Sequence, residues 1–400
     1  MDGYEQNPFG YICLSKQGPL AIKGKKIRFR NIAVLLHLWL GLLSGSIVFI
    51  IAITGCIYAF HDELQDLTRP WRKVAVENKV FIGPTAIFQK LSEEFPDAKA
   101  AMVIYQNRER PAHVTVQLES GLHNIYFNPY SGVIVHVQNL EQDFFLIVER
   151  LHRFLLLPEG VGKHITGIAT IIFVFTVLTG MILWWPKQWK NAAQNFKIRW
   201  KSRWRRKNYD WHRATGFYIL LPALIMAITG LSFSYEWMHE SMYVVGNLGN
   251  AESKEELLPH KRFDLATTHP EALDTAFYRT MELVPDSGML FVWDQGEGLP
   301  ILTGAYPTTL AFDHQSNFYF HPQSGKLIYG QFYDQKAPGL QLQEMNYGLH
   351  TGQYFGLFGK IAAFICSLLV AALPITGFFI WRGRRKKKPS IYTPATFDGP

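Results

Sequence analysis

The chain has 400 residues, of which 48% are apolar, 14% aromatic and only 18% charged. That composition is too apolar for a disordered chain. The three cysteines, Cys13, Cys56 and Cys366, fall in no CxxC or CxxCH spacing, which argues against a cysteine-ligated metal, covalent c-type haem attachment or a disulfide framework. The net charge of +8 bears on partners only once its position along the chain is known.

In chain order, residues 1–30 read as a cytoplasmic segment and 31–60 as a first membrane helix. Residues 61–162 form a first outer domain, 163–185 a second membrane helix and 186–210 a basic cytoplasmic loop. Residues 211–236 form a third membrane helix, 237–350 a second outer domain, 351–381 a fourth helix with a preceding elbow, and 382–400 a basic cytoplasmic tail. Each apolar segment reaches the roughly 20 residues that cross a bilayer. The first lies too late and runs too long for a signal peptide. Pro222 and Pro374 interrupt the third and fourth, which membrane helices tolerate.

Charge sets the orientation. Lys23, Lys25, Lys26, Arg28 and Arg30 precede the first helix, and ten basic residues from Lys187 to Arg213 stand against the single acid Asp210. Six more basic residues lie between Arg382 and Lys388, whereas the two long linkers hold 16 basic and 27 acidic residues. The positive-inside rule therefore places both termini in the cytoplasm and the long linkers outside. The excess charge is spent on topology and lipid contact, and no nucleic-acid partner is expected. Trp184, Trp185, Trp189 and Trp381 fit an aromatic belt at the inner interface.

The chain repeats itself. Tyr126-Phe-Asn-Pro-Tyr-Ser-Gly132 matches Tyr319-Phe-His-Pro-Gln-Ser-Gly325, each reading as strand, turn, strand. A helical stretch precedes each, Pro84–Phe95 and Pro270–Leu283, so each linker reads as a small α+β domain. His37 precedes Thr54-Gly55 by 17 residues, and His212 precedes Thr229-Gly230 by the same 17. His152 leads to Gly162-Lys163 and Thr179-Gly180, as His350 leads to Gly359-Lys360 and Thr376-Gly377. The glycines permit close helix approach or leave room for a flat cofactor.

Ionisable groups in membrane helices are functional suspects. His37 and His212 fall near the inner face at equivalent repeat positions, and two neutral imidazoles facing each other can ligate a b-type haem. His152 and His350 form a second pair on the outer side. Both precede the hydrocarbon proper, so a short elbow helix ending at the Gly-Lys pair is expected to fold them back over the bundle, and the turn-prone Pro158-Glu-Gly160 marks that elbow in the first repeat. His164 competes for the outer site, although its repeat equivalent is Ile361, and His61 and His239 are further candidates. The remaining histidines, His113, His123, His136, His260, His269, His314 and His321, show no metal-ligand spacing and read as solvated surface. Trp237, Tyr243, Trp293, Phe318 and Tyr354 are candidates for an outer substrate surface or for domain core.

These features together resemble the PepSY-associated transmembrane helix family, also known as iron-regulated inner-membrane proteins. The resemblance rests on Leu36-His37, on Leu151-His152-Arg153 with Leu178-Thr-Gly180 and Trp184-Trp-Pro186, on Trp211-His212 with Thr229-Gly230, and on Leu349-His-Thr-Gly352 with Phe355-Gly356. The Pro-x-Ser-Gly hairpins resemble PepSY domains. The expected fold is an α-helical membrane protein with four transmembrane helices, N-in and C-in, and two periplasmic α+β PepSY-like domains in an internal duplication. The resemblance implies a bacterial inner-membrane location and a siderophore-linked role, with one branch of the family acting as haem-containing ferric-siderophore reductases. On that reading two haems b, held by His37, His212, His152 and His350, with His164 in competition at the outer site, pass electrons outward to a ferric siderophore. The cytoplasmic parts carry no flavin or nucleotide fingerprint, so the electrons come from another protein or from quinol. A non-enzymatic PepSY-domain sensor or interaction protein, and an electron conduit to a separate periplasmic oxidoreductase, stay open as alternatives.

Overall fold

The computed structural model describes residues 29–186, 188–250, 263 and 267–385. The first 28 residues with Cys13 and most of the leading basic cluster, Lys187, His260, and the basic tail from residue 386 lie outside the described residues. The first half runs α1 (Phe29–Ala59), α2 (His61–Thr68), α3 (Pro84–Glu94), β1 (Met102–Tyr105), β2 (Ala112–Leu118), β3 (Gly121–Phe127), β4 (Ile134–Asn139), α4 (Phe144–Phe154) and α5 (Glu159–Trp184). The second runs α6 (Trp204–Tyr218), α7 (Leu220–Ser234), α8 (Glu236–Gly246), α9 (Pro270–Leu283), β5 (Met289–Asp294), β6 (Ile301–Tyr306), β7 (Ser316–Phe320), β8 (Leu327–Gln331), α10 (Pro338–Glu344), α11 (Asn346–Thr351) and α12 (Gly356–Arg385).

The segments of α1, α5 and α12 are each long and apolar enough to cross a membrane, and α6 with α7 supplies a fourth candidate span. That fourth span, expected as one helix over residues 211–236 interrupted by Pro222, is two helices. α6 and α7 meet at a bend of 61°. Pro222, in the first turn of α7, has no N–H to donate and its ring crowds the carbonyl of Tyr218, the last residue of α6. α6 also starts earlier than expected, inside the basic loop. Its buried Asp210 is neutralised by Arg206 at 3.1 Å and Arg213 at 3.3 Å, so the polar turns pack instead of staying in solvent. Trp184 leaves the expected interfacial belt. It stacks on Phe217 with centroids 3.8 Å apart, while Trp185 and Trp189 stay exposed.

The elbow before α5 lies upstream of the Gly-Lys pair. Leu155 and Leu156 both take left-handed backbone (φ 55° and 58°), and Pro158 then caps α5. Gly162 sits in the first turn of α5 because a Cβ there would come within 2.1 Å of the Phe154 carbonyl oxygen. In the second half Gly352 (φ +79°) makes the turn, and Gly359 passes it as closely.

The two long linkers do not fold apart. Their strands form one eight-stranded antiparallel sheet of order β4-β3-β2-β1-β5-β6-β7-β8, which reads alike from either edge. Each half is a helix followed by a four-strand meander. The open edges β1 and β5 pair with each other from Met102↔Trp293 to Tyr105↔Leu290, which removes two unpaired edges at once. α3 and α9 cover one face, and Ile87, Leu91, Phe127, Phe277, Phe318 and Phe320 form one core beneath them. Each of those side chains contributes roughly 1.5–3 kcal/mol by burial. Phe318 therefore belongs to the core and not to an outer surface. Both Pro-x-Ser-Gly segments make the expected turns. Gly132 donates to the Asn128 carbonyl and Gly325 to the His321 carbonyl, each at 2.9 Å and each with positive φ.

The other face of the first half is polar and aromatic. Trp71 stacks on His136 at 4.2 Å, Arg69 pairs with Asp143, and Arg72 and Arg110 converge on Asp66. Two histidines expected at the solvated surface turn inward, His113 on this face and His123 on the core face shared with Ile125 and Phe127. His123 is buried with Nδ1 2.9 Å from the Gly121 carbonyl, and His113 packs against Tyr126 with its Nδ1 buried and unpaired. Burial, reinforced by the Arg72 charge, pushes the His113 imidazole down to about 4.

Candidate functional site: two facing histidine pairs

Four histidines meet in two pairs. His37 on α1 and His212 on α6 have ring centroids 6.2 Å apart with planes at 80°. His152 on α4 and His350 on α11 have centroids 6.0 Å apart with planes at 72°. Two imidazoles bonded to one metal from opposite sides need about this spacing: a bond of about 2 Å on each side, plus roughly 1 Å from nitrogen to ring centre, gives about 6 Å.

Each ring is fixed through Nδ1. His37 Nδ1 donates to the Thr176 carbonyl at 2.9 Å, His152 Nδ1 to the Ile51 carbonyl at 2.9 Å and His350 Nδ1 to the Met226 carbonyl at 3.0 Å. A carbonyl only accepts, so the proton sits on Nδ1 and leaves Nε2 with a free lone pair. His212 Nδ1 meets the Thr376 hydroxyl at 2.8 Å, and that hydroxyl donates to the Leu373 carbonyl at 2.9 Å, so it accepts from His212. Among the described residues no protein group hydrogen-bonds Nε2 of any of the four.

The repeated Thr-Gly pairs build the cradle. Thr54, Thr179 and Thr229 place their hydroxyls 3.1, 3.3 and 3.0 Å from Nδ1 of His152, His37 and His350. The adjoining glycines lie under the rings. A Cβ at Gly55, Gly180, Gly230 or Gly377 would meet Cε1 of His152, His37, His350 or His212 at 3.3, 3.0, 3.1 or 3.4 Å. Sequence reasoning found these glycines but assigned them to helix packing or cofactor room. Their immediate neighbour is the histidine. The threonine hydroxyls were missed, although their recurrence beside glycine was visible.

The outer pair opens on a cavity of about 330 Å3, lined also by Tyr58, Tyr347, Glu149, Arg153 and Lys163. His164 is not among its lining residues; it is exposed on α5 with its ring 6.1 Å from that of Tyr235. His61 stacks on Tyr58 at 4.1 Å, and His239 is exposed on α8. The inner and outer pairs are offset along α1 by the 14 to 17 residues between His37 and the Ile51–Thr54 turn, a rise of roughly 20–25 Å.

The residues fit a haem better than a protein-caged ion. Among the described residues no group of three or more His, Cys, Asp or Glu converges, whereas tetrahedral zinc takes three or four protein ligands. Two opposed neutral imidazoles, each held through its second nitrogen, suit a metal whose other ligands come from a macrocycle.

Four candidate spans and a sheet domain joined through short elbows define a multi-pass membrane protein. The family model described as the PepSY-associated TM region matches residues 34–384, so the chain belongs to that family. No curated protein matches it.

Proposed function

We propose that this chain is a haem-b oxidoreductase of the bacterial inner membrane that reduces periplasmic ferric siderophore and releases Fe(II) for uptake. The observation that carries the reading is the doubled geometry: two histidine pairs, each at bis-imidazole spacing, each with Nε2 free and Nδ1 held. The basic residues of the loop and termini support a cytoplasmic location for both ends, with the sheet domain in the periplasm. The palindromic strand order and the shared hairpin motif support an internal duplication of two PepSY-like units.

His37 and His212 would hold an inner haem b, and His152 and His350 an outer one. When bound, haem supplies one-electron transfer. The chain's own part is to keep each Nδ1 protonated, point Nε2 across the gap and exclude lipid from between the rings. Threonine hydroxyls and backbone carbonyls do the first, and the glycine cradles leave room for the second. One electron converts Fe(III) to Fe(II), which the hard oxygen ligands of a siderophore hold less well. The electron originates with a quinol or a cytoplasmic protein.

The test is a pyridine haemochrome count on detergent-purified protein, followed by reoxidation of the reduced protein by ferric chelates. Two haems b per chain, reoxidised by a ferric siderophore with matching Fe(II) release, is the expected result. Colourless protein from haem-replete cells overturns the cofactor assignment. Haem that no ferric chelate reoxidises overturns direct reduction.

A further inference from the structure

The outer cavity is lopsided in charge. Aligning the repeats at the outer histidines and the Gly-Lys pairs matches Glu149 with Tyr347, Arg153 with Thr351 and Lys163 with Lys360; the Thr-Gly pairs match Tyr58 with Phe233. Both lining cations, Arg153 and Lys163, belong to the first-half wall. The second-half wall offers Thr351 at the place of Arg153, and Lys360 is not among its lining residues. The lysine that would restore symmetry is drawn away. Lys360 is 8% exposed and its Nζ pairs with Glu63 of α2 at 2.8 Å. The residue at the repeat position of Glu63 is Met238, and Lys163 forms no ion pair among the described residues. Arg153 gives one N–H to Glu149 at 2.9 Å, and its other donors have no protein partner among the described residues.

Haem b is lopsided in the same way, with two carboxylates on one edge and hydrocarbon substituents on the other. We propose that Arg153 and Lys163 seat the carboxylate edge of the outer haem and so fix its single orientation between His152 and His350. This rests on the haem reading above. A carboxylate in a partly desolvated cavity needs a charge partner. Only the first-half wall supplies cations, and Lys163 is the one not already engaged by a protein carboxylate. Glu149 holds the Arg153 guanidinium at the cavity rim and leaves its free N–H donors for a second carboxylate. Arg153 and Lys163 are positioning residues, since the iron ligands are the histidines.

The test loads apoprotein in detergent with either haem b or its dimethyl ester, in which both carboxylates are blocked. Outer-haem retention is read in wild type, Lys163→Gln, Arg153→Gln and Lys360→Gln. The outer haem is the one absent from His152→Ala. Retention of haem b should fall about tenfold for each lost charged contact, while the ester leaves wild type and the Lys163 and Arg153 variants at the same rate. Lys360→Gln should retain haem b as wild type does. The freed carboxylate should also regain a protonation step that makes the outer midpoint potential pH-dependent. Equal losses for haem b and ester in the variants, or unchanged retention of haem b in both, overturns the seat. If wild type binds no outer haem from either ligand, the haem reading itself has failed, which is a separate outcome.

Discussion

Gly180→Ala separates the role of the histidine cradles from helix packing. In an ordinary helix this change stabilises by about 1 kcal/mol. Here the new Cβ would lie 3.0 Å from Cε1 and 3.4 Å from Nδ1 of His37. Unstrained carbon contacts lie near 3.5–4.0 Å, so the ring must retreat by roughly 0.5 Å. Its Nδ1 is tied to the Thr176 carbonyl at 2.9 Å, and the space ahead of it is the 6.2 Å gap to His212. Retreat therefore either breaks the hydrogen bond or closes the gap. Residues that orient a metal ligand typically change affinity about 10–100-fold when altered, and inner-haem affinity should fall in that range. Gly216→Ala is the control, because its nearest neighbour, Leu373 Cδ2, lies 4.0 Å away. Haem titration and thermal melting of both apoproteins give the answer. Gly180→Ala should stay folded, melting below Gly216→Ala by the strain at His37, and hold the inner haem about 10–100-fold more weakly, whereas Gly216→Ala should bind it as wild type does. Wild-type haem affinity in Gly180→Ala would refute the cradle.

Thr376→Val removes the hydroxyl that accepts from His212 Nδ1 at 2.8 Å; the inner midpoint potential should shift while the outer one stays, and a redox titration resolves the two waves. Gly162→Ala places a Cβ 2.1 Å from the Phe154 carbonyl oxygen, so the elbow must open at a cost of about 1–3 kcal/mol; melting should fall and the outer haem should be lost before the inner. The sheet domain should weaken in acid. The His113 value near 4 lies below its ordinary 6.5, so the unfolded chain binds the extra proton in that window. Stability is then intact above pH 6.5 and falls toward pH 4, with a slope of up to about 1.4 kcal/mol per pH unit. Melting of wild type and His113→Phe between those limits should show the variant with the shallower dependence, and equal slopes would contradict it.

Much of this arrangement was legible in the sequence because it is periodic. The apolar runs gave the spans, and the hairpins were marked by Pro-x-Ser-Gly, whose glycines take the positive φ that the turn requires. The equal 17-residue offsets tied His37 and His212 to Thr-Gly pairs. What periodicity could not show was which histidine rests on which pair. His37 lies over Gly180 of the next span and not over the Gly55 of its own helix; only the packing of α1 against α5 decides that. The break at Ile219 was hidden because Pro222 is compatible with either a kink or a continued helix. The elbow of the first half was marked by Pro158-Glu-Gly160, but the part upstream was hidden because two leucines, Leu155 and Leu156, adopt a backbone that favours glycine. The fusion of the two sheet halves needed the pairing of β1 with β5, a long-range contact that no local pattern encodes. His113 and His123 read as surface because alternation along a strand does not say which faces are covered.

The central claim is that each pair clasps one iron between near-perpendicular imidazoles. Low-temperature electron paramagnetic resonance of the oxidised, haem-loaded protein tests it most directly, because ring planes at 80° and 72° would leave two d orbitals of an iron held between them nearly degenerate. Two low-spin ferric signals of large g anisotropy are predicted, one lost in His212→Ala and the other in His350→Ala. High-spin signals, or low-spin signals that survive both substitutions, would contradict it.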